Sequence, residues 1–117
     1  MPGALYDFRV LGAFTVQQIG AGGSAPPPTK VADANPLRRG LYLVSYVADF
    51  FIVEDSSPQD ASQAFRVPGN VGRIFQVGTP PITDTGQIFL YGNAPNVVVF
   101  VAELVEVSGG GQPSQVI

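Results

Sequence analysis

From Val97 to Val107 the chain reads Val-Val-Val-Phe-Val-Ala-Glu-Leu-Val-Glu-Val, an eleven-residue run dominated by β-branched side chains and free of glycine and proline. Such a run predicts a long strand. Successive strand residues point to opposite faces, so Val97, Val99, Val101, Val105 and Val107 fall on one side and Val98, Phe100, Ala102 and Leu104 on the other. Neither side suits water. A second run, from Leu37 to Ala48, has the same two-faced character. In a two-layer sandwich the second face of such strands needs the N-terminal arm or a neighbouring subunit as cover; the alternative is a central place in a tightly curled barrel.

The rest of the pattern is β as well. Glycine (14) and proline (11) are frequent in 117 residues without reaching a low-complexity composition, and short apolar runs recur between turn signals. Further strands are expected near Phe50–Glu54, Arg73–Val77 and Gln87–Tyr91, with a weaker one near Ala64–Val67. Turns are expected at 54–58, 68–70, 79–81, 84–86 and 93–96. No segment has a helical period. The predicted class is all-β, a small antiparallel sandwich or barrel with an extended N-terminal arm.

Composition divides the chain into three parts. Residues 1–28 are read as an arm, with two short strands, Leu5–Leu11 and Phe14–Ile19, on either side of Gly12. The arm ends in a tether whose glycines (20, 22 and 23) are flexible and whose three prolines (26–28) favour polyproline II. Residues 29–108 form the β domain and 109–117 a flexible tail. On this reading the β domain stays folded when residues 1–28 are removed.

Several function classes lose support at this stage. The chain has no histidine, cysteine or tryptophan, so the usual neutral-pH proton shuttle, the thiolate nucleophile and the strongest zinc ligands are missing. Six basic residues are scattered against nine acidic ones, a net charge of −3, and no stripe is available for a phosphate backbone. No apolar run is long enough to cross a bilayer as a helix, and the first residues do not read as a secretion signal. The expectation is a non-enzymatic protein with no cofactor, metal, nucleic-acid, membrane or small-molecule partner, made in the host cytoplasm.

Candidate sites are few. Glycines 20, 22 and 23 lack the helix and lysine that a phosphate-cradling loop needs. Glu54, Asp55 and Asp60, with Ser56 and Ser57, do not match the alternate-position ligands of a calcium loop and read as a solvated acidic loop. Glu103 and Glu106 lie three apart on a strand, hence on opposite faces, and cannot serve as a catalytic pair. Phe50, Phe51, Phe75, Phe89 and Tyr91 are core or interface fillers, with a sugar-binding groove as the alternative.

The most distinctive stretch is Asn35-Pro36-Leu37-Arg38-Arg39-Gly40, a turn that opens directly into the strand beginning at Leu41. Arg38 and Arg39 project to opposite faces, so one can pair internally while the other meets a partner. Glu103 interrupts the valine face of the last strand. Either it takes a buried arginine, Arg38 or Arg39, from the same or an adjacent chain, or it is an exposed charge that blunts a sheet edge. The candidate interface comprises Arg38, Arg39, Tyr42, Phe100 and Glu103.

The order of these pieces resembles that of a small structural protein of tailed-phage virions. The resemblance rests on Ala34-Asn35-Pro36-Leu37-Arg38-Arg39-Gly40-Leu41-Tyr42-Leu43-Val44, then Pro81-Ile82-Thr83-Asp84-Thr85-Gly86-Gln87-Ile88-Phe89-Leu90-Tyr91, then Val97 to Glu103. It implies a capsid decoration (cement) protein on the major capsid protein, commonly a homotrimer, or a neck or tail appendage; a carbohydrate-binding adhesin, read from the aromatic residues, is a separate alternative. The hairpin Asp49–Glu54 and the insertion from Asp55 to Asn70 depart from that pattern.

Overall fold

In the structure, a computed structural model, residues 5–20, 26–57 and 64–107 are described. Eight strands appear among them: β1 (Leu5–Val16), β2 (Thr29–Ala32), β3 (Arg38–Val44), β4 (Phe50–Val53), β5 (Phe65–Val67), β6 (Arg73–Gln76), β7 (Ile88–Gly92) and β8 (Val97–Val107). No helix occurs among the described residues. The strands make two antiparallel four-stranded sheets, sheet A in the order β1-β8-β3-β6 and sheet B in the order β2-β7-β4-β5. The class is all-β, as expected, and the sheets pack as two layers.

Valine-rich β8 sits inside sheet A because its eleven residues need a ladder on both edges, with β3 on one side and β1 on the other. Leu5–Val16, expected as part of an arm, is therefore an integral edge strand, paired with β8 from Leu5↔Val107 to Val16↔Val97. The break expected at Gly12 is a bulge inside this one strand. The register slips between Val10 and Gly12, and Gly12 has a φ of 138°, a value side chains rarely adopt. Because of the slip, Tyr6, Phe8 and Val10 face outward before the bulge, while Phe14 and Val16 face the core after it. An uninterrupted period of two would have left Phe14 and Val16 in water.

Between the sheets lie Leu41, Leu43, Phe50, Ile52, Phe75, Ile82, Ile88, Leu90, Val97, Val99 and Val101, with Val16, Val31 and Val67. The strand expected over 37–48 ends at Val44. Ser45–Ala48 bends away, the Ser45 hydroxyl accepting from the Val47 amide at 3.4 Å, and Tyr46 and Val47 are left exposed. The Asp49 carboxylate ties this bend to the loop after β5, accepting from the Gly69 amide at 2.8 Å and from Arg66 Nε at 2.9 Å. The expected glycine-rich half of the tether, Asp60 and the C-terminal tail lie outside the described residues.

Sheet B turns a second apolar set outward, Phe51, Val53, Phe89 and Tyr91. These are buried too, packed against Ile19 and Ala64. After β1 the chain crosses to this sheet. Gly92 donates to the Gln17 carbonyl at 2.7 Å, Ile19 donates to the Gly92 carbonyl at 2.9 Å, and the Tyr91 hydroxyl donates to the Pro26 carbonyl at 2.6 Å. Arg66 lies over the Phe51 ring at 5.7 Å.

Candidate assembly surface

The turn Asn35–Arg38 is built as its residues dictate. The Asn35 side-chain oxygen accepts from the Leu37 amide at 3.0 Å, and the Arg38 amide donates to the Asn35 carbonyl at 3.0 Å, an Asx-type turn closed around Pro36. It delivers Arg38 to the inner face of sheet A and Arg39 to solvent. Arg38 is wholly buried, and Glu103 is 5% exposed. Arg38 Nε donates to Glu103 Oε2 at 3.0 Å and Nη1 to the Gly86 carbonyl at 3.0 Å, while Nη2 bonds the Asp33 carbonyl. Asn35 Nδ2 donates to the other carboxylate oxygen at 3.1 Å, and Arg9 Nη1 lies 4.0 Å from it.

This ion pair is therefore internal and intrachain. A buried carboxylate is tolerated because both its oxygens and the guanidinium nitrogens find partners. The cluster joins β3, β8 and the loops 33–37 and 84–86. Beside it, Lys30 Nζ lies 2.7 Å from Asp33 Oδ1, and that hydrogen bond and charge hold the Asp33 carboxyl below its ordinary value. Arg39 pairs with Glu106 at 2.8 Å on the opposite side of the strands. Of the five candidate interface residues, Arg38 and Glu103 lie inside the protomer with their polar atoms engaged. Arg39 is at the surface, and Tyr42 and Phe100 lie on the outer face of sheet A.

That outer face has a regular composition. One row crosses all four strands, Val10 opposite Ala102, Ala102 opposite Tyr42, and Tyr42 opposite Ile74. The adjacent row is Phe8, Leu104, Gly40 and Gln76, and the row beyond Ala102 contains Ala13, Phe100 and Val44. Phe8 and Tyr42 stand on strands separated by β8, about 9–10 Å apart at the backbone. Their rings nevertheless meet edge to face, with centroids 5.9 Å apart, and Tyr42 meets Phe100 at 6.4 Å. The small side chain of Ala102 and the bare Cα of Gly40 leave room for the rings to lean over β8. Gly72 makes room for the far end of Tyr42, because a Cβ placed there would overlap the Tyr42 hydroxyl.

No described segment crosses this face. Tyr6, Phe8, Val10 and Ile74 are 52–58% exposed and Val98 is 41% exposed. From strand spacing and rise, the four strands present on the order of 500 Å² of outward surface. That footprint includes polar positions such as Thr15, Gln76 and Glu106 and the buried Val44 and Ala102, with the open apolar part at Tyr6, Phe8, Val10, Ile74 and Val98.

Comparison with protein-family models, with curated proteins and with solved structures finds no match to this chain.

The remaining candidates have structural uses. Glu54 accepts from the Thr83 amide and hydroxyl, both at 2.8 Å, and Asp55 accepts from the Ser57 amide at 2.9 Å. The Ser57 bonds lower the Asp55 pKa. Among the described residues no three acidic side chains converge as a metal site. Phe50, Phe51, Phe75, Phe89 and Tyr91 are all at most 6% exposed, so they act first as fillers of the interior, although Phe75 also borders a shallow surface pocket with Arg73, Ile74 and Pro80. Sequence reasoning missed Tyr6, Phe8 and Val10 as part of the surface. Their alternation with Asp7 and Arg9 was the available signal, since it places three apolar side chains on one face of a strand.

Proposed function

We propose that this protein is a non-enzymatic structural subunit that assembles with other protein subunits through the outer face of sheet A. The observation that carries the reading is the apolar outer face of sheet A, where Tyr6, Phe8, Val10 and Ile74 are more than half exposed around the half-buried Tyr42 and Phe100, set between the Arg39–Glu106 pair and the exposed tip at Tyr46 and Val47. Uncovered surface of this composition gains about 25 cal/mol for each Å² removed from water, which favours a protein partner over solvent. The edge-to-face contacts of Tyr42 with Phe8 and Phe100 restrain these rings, so less side-chain entropy is lost on docking.

The order of the Asn-Pro-x-Arg-Arg turn, the Pro81–Tyr91 segment and the valine strand supports a place on a tailed-phage virion. In that setting the partner is the shell's major protein, and the chain acts as a decoration protein that reinforces contacts between shell subunits. Many copies on one shell add their modest contacts through avidity. Asp49, Glu54, Asp55, Asp84 and Glu103 all serve loop and strand contacts, which fits a non-enzymatic reading.

Electron cryomicroscopy of phage particles whose genome encodes the chain, compared with particles in which its reading frame is interrupted, tests this function. The expected difference is surface density that fits the two-sheet fold with Tyr42 and Phe100 against the shell. Particles identical with and without the chain contradict the reading.

A further inference from the structure

β1 differs from every other edge strand of the fold. β6 and β2 have four residues and β5 three, lengths that offer little ladder to an incoming strand, whereas β1 has twelve. Its far edge is unpaired among the described residues, since sheet A ends there. Before the bulge, its outward face is the half-exposed trio Tyr6, Phe8 and Val10, and its inward face carries Asp7 and Arg9. Asp7 has no ion-pair partner among the described residues, and Arg9 reaches Glu103 only at 4.0 Å while its side chain is 55% exposed.

We infer that two copies of the chain pair antiparallel through their β1 edges, with the two-fold axis at Phe8. The inference rests on the assembly reading above and specifies how copies join. An axis perpendicular to the sheet keeps outer face with outer face and sets residue i opposite residue 16 − i of the other copy. Phe8 then meets Phe8 of the second copy, Tyr6 meets Val10, and Asp7 meets Arg9 twice, once on each side of the axis. Aromatic–β-branched and opposite-charge pairs are the favourable cross-strand combinations.

The charges also fix the register. Centring the axis on Asp7 sets two carboxylates opposite each other, and centring it on Arg9 sets two guanidiniums opposite each other. Both are destabilising. The bulge at Gly12 twists the strand and interrupts its ladder, so the pairing is confined to Leu5–Leu11.

The joined molecule has an eight-stranded sheet with one continuous outer face. Joining two copies doubles the outward footprint of one sheet A, from about 500 to about 1,000 Å². The pairing gives a two-fold unit in place of the homotrimer that the resemblance implies.

The test uses the full chain, its solution mass measured by light scattering. The wild type is expected at twice the mass of one chain. Asp7→Arg and Arg9→Asp, each folded by circular dichroism, are expected at the single-chain mass, a twofold drop. An equimolar mixture of the two variants is expected to return to twice the mass, because Arg at 7 of one copy then faces Asp at 9 of the other, and Arg9 of the first faces Asp7 of the second. The chain has no cysteine, so Phe8→Cys is expected to form a covalent dimer under mild oxidation. Tyr6→Cys, whose two copies would lie about 13 Å apart, is expected not to.

A wild type that remains a single chain overturns the pairing. So does a wild-type oligomer that is indifferent to both charge reversals and not crosslinked through Phe8→Cys, although the assembly reading survives that result. A Phe8→Cys dimer of a protein that is absent from particles supports the pairing and overturns the assembly function.

Discussion

Sheet B turns Phe51, Val53, Phe89 and Tyr91 outward, and sheet A turns Phe8, Val10, Tyr42, Ile74 and Phe100 outward, yet the first four are buried while Phe8, Val10 and Ile74 are more than half exposed. The chain covers its own sheet B. Ile19 and Ala64 pack on that face, the Pro26 carbonyl takes the Tyr91 hydroxyl, and Asp49 holds Arg66 above Phe51. Over sheet A no described segment returns, although the surface there is just as apolar. A two-faced strand therefore does not by itself reveal whether the cover comes from its own chain; that depends on where the connections run.

Removing residues 1–28 probes the comparison at its source, since the segment supplies both β1 and the covering residues around Ile19 and Pro26. The structure predicts loss of the folded domain, against the expectation that the domain would survive without its arm. Cooperative thermal unfolding of the shortened chain, followed by circular dichroism, checks this. A sharp transition close to that of the full chain would show that sheet A needs no β1.

Next in size is the polar staple on the inner side of sheet A. Glu103→Ala leaves Arg38 buried without its carboxylate and should cost about 3–5 kcal/mol, measured by urea unfolding. The double change Arg38→Met with Glu103→Leu should recover most of that loss, because an apolar pair needs no compensating charge.

The two outer faces are then compared directly by matched truncations. Phe89→Ala removes a ring buried on sheet B and should cost about 3 kcal/mol or more. On sheet A, Phe8→Ala, with both truncations made in the single-chain Asp7→Arg background, removes a ring that is half in water and should cost well under half as much. Equal losses in urea would mean that the sheet A face is covered after all.

The smallest effect is acid dependence. Asp49 has its pKa lowered by the Gly69 amide first and by Arg66 second. A depressed carboxylate contributes stability above its unfolded-state value, near 3.8, and loses it as the pH falls through the lower folded value. The melting temperature of the wild type should thus fall as the pH drops below about 4, and Asp49→Asn should reduce the steepness of that fall.

Much of this was legible in the sequence, for identifiable reasons. β4, β6, β7 and β8 follow from β-branched and aromatic runs bounded by turn residues, and the opposed faces of β8 emerge as the period of two demands. The Asn-Pro turn located the start of β3, but Glu103 in a valine face left two readings open, a buried arginine partner (Arg38 or Arg39) or an exposed edge charge, and only the structure selects Arg38 within the same chain. β2 was missed because Thr29–Ala32 is short and follows three prolines, so no period could develop. Gly12 was read as a break because a bulge and a strand end have the same local signal, a glycine between apolar runs. The end of β3 at Val44 depends on Ser45 and Asp49 bonding backbone, which periodicity does not register. The contact between Phe8 and Tyr42 spans two strands and depends on the smallness of Ala102, a fact visible only once the register is known.

The central claim is that the outer face of sheet A is open in the free chain and becomes covered on assembly, while sheet B is covered throughout. Hydroxyl-radical footprinting of the free protein and of assembled particles tests it residue by residue. The account predicts that Tyr6, Phe8 and Tyr42 are oxidised in the free protein and protected in particles, with Phe51, Phe89 and Tyr91 protected in both. Equal oxidation of Tyr6, Phe8 and Tyr42 in the two states would contradict it.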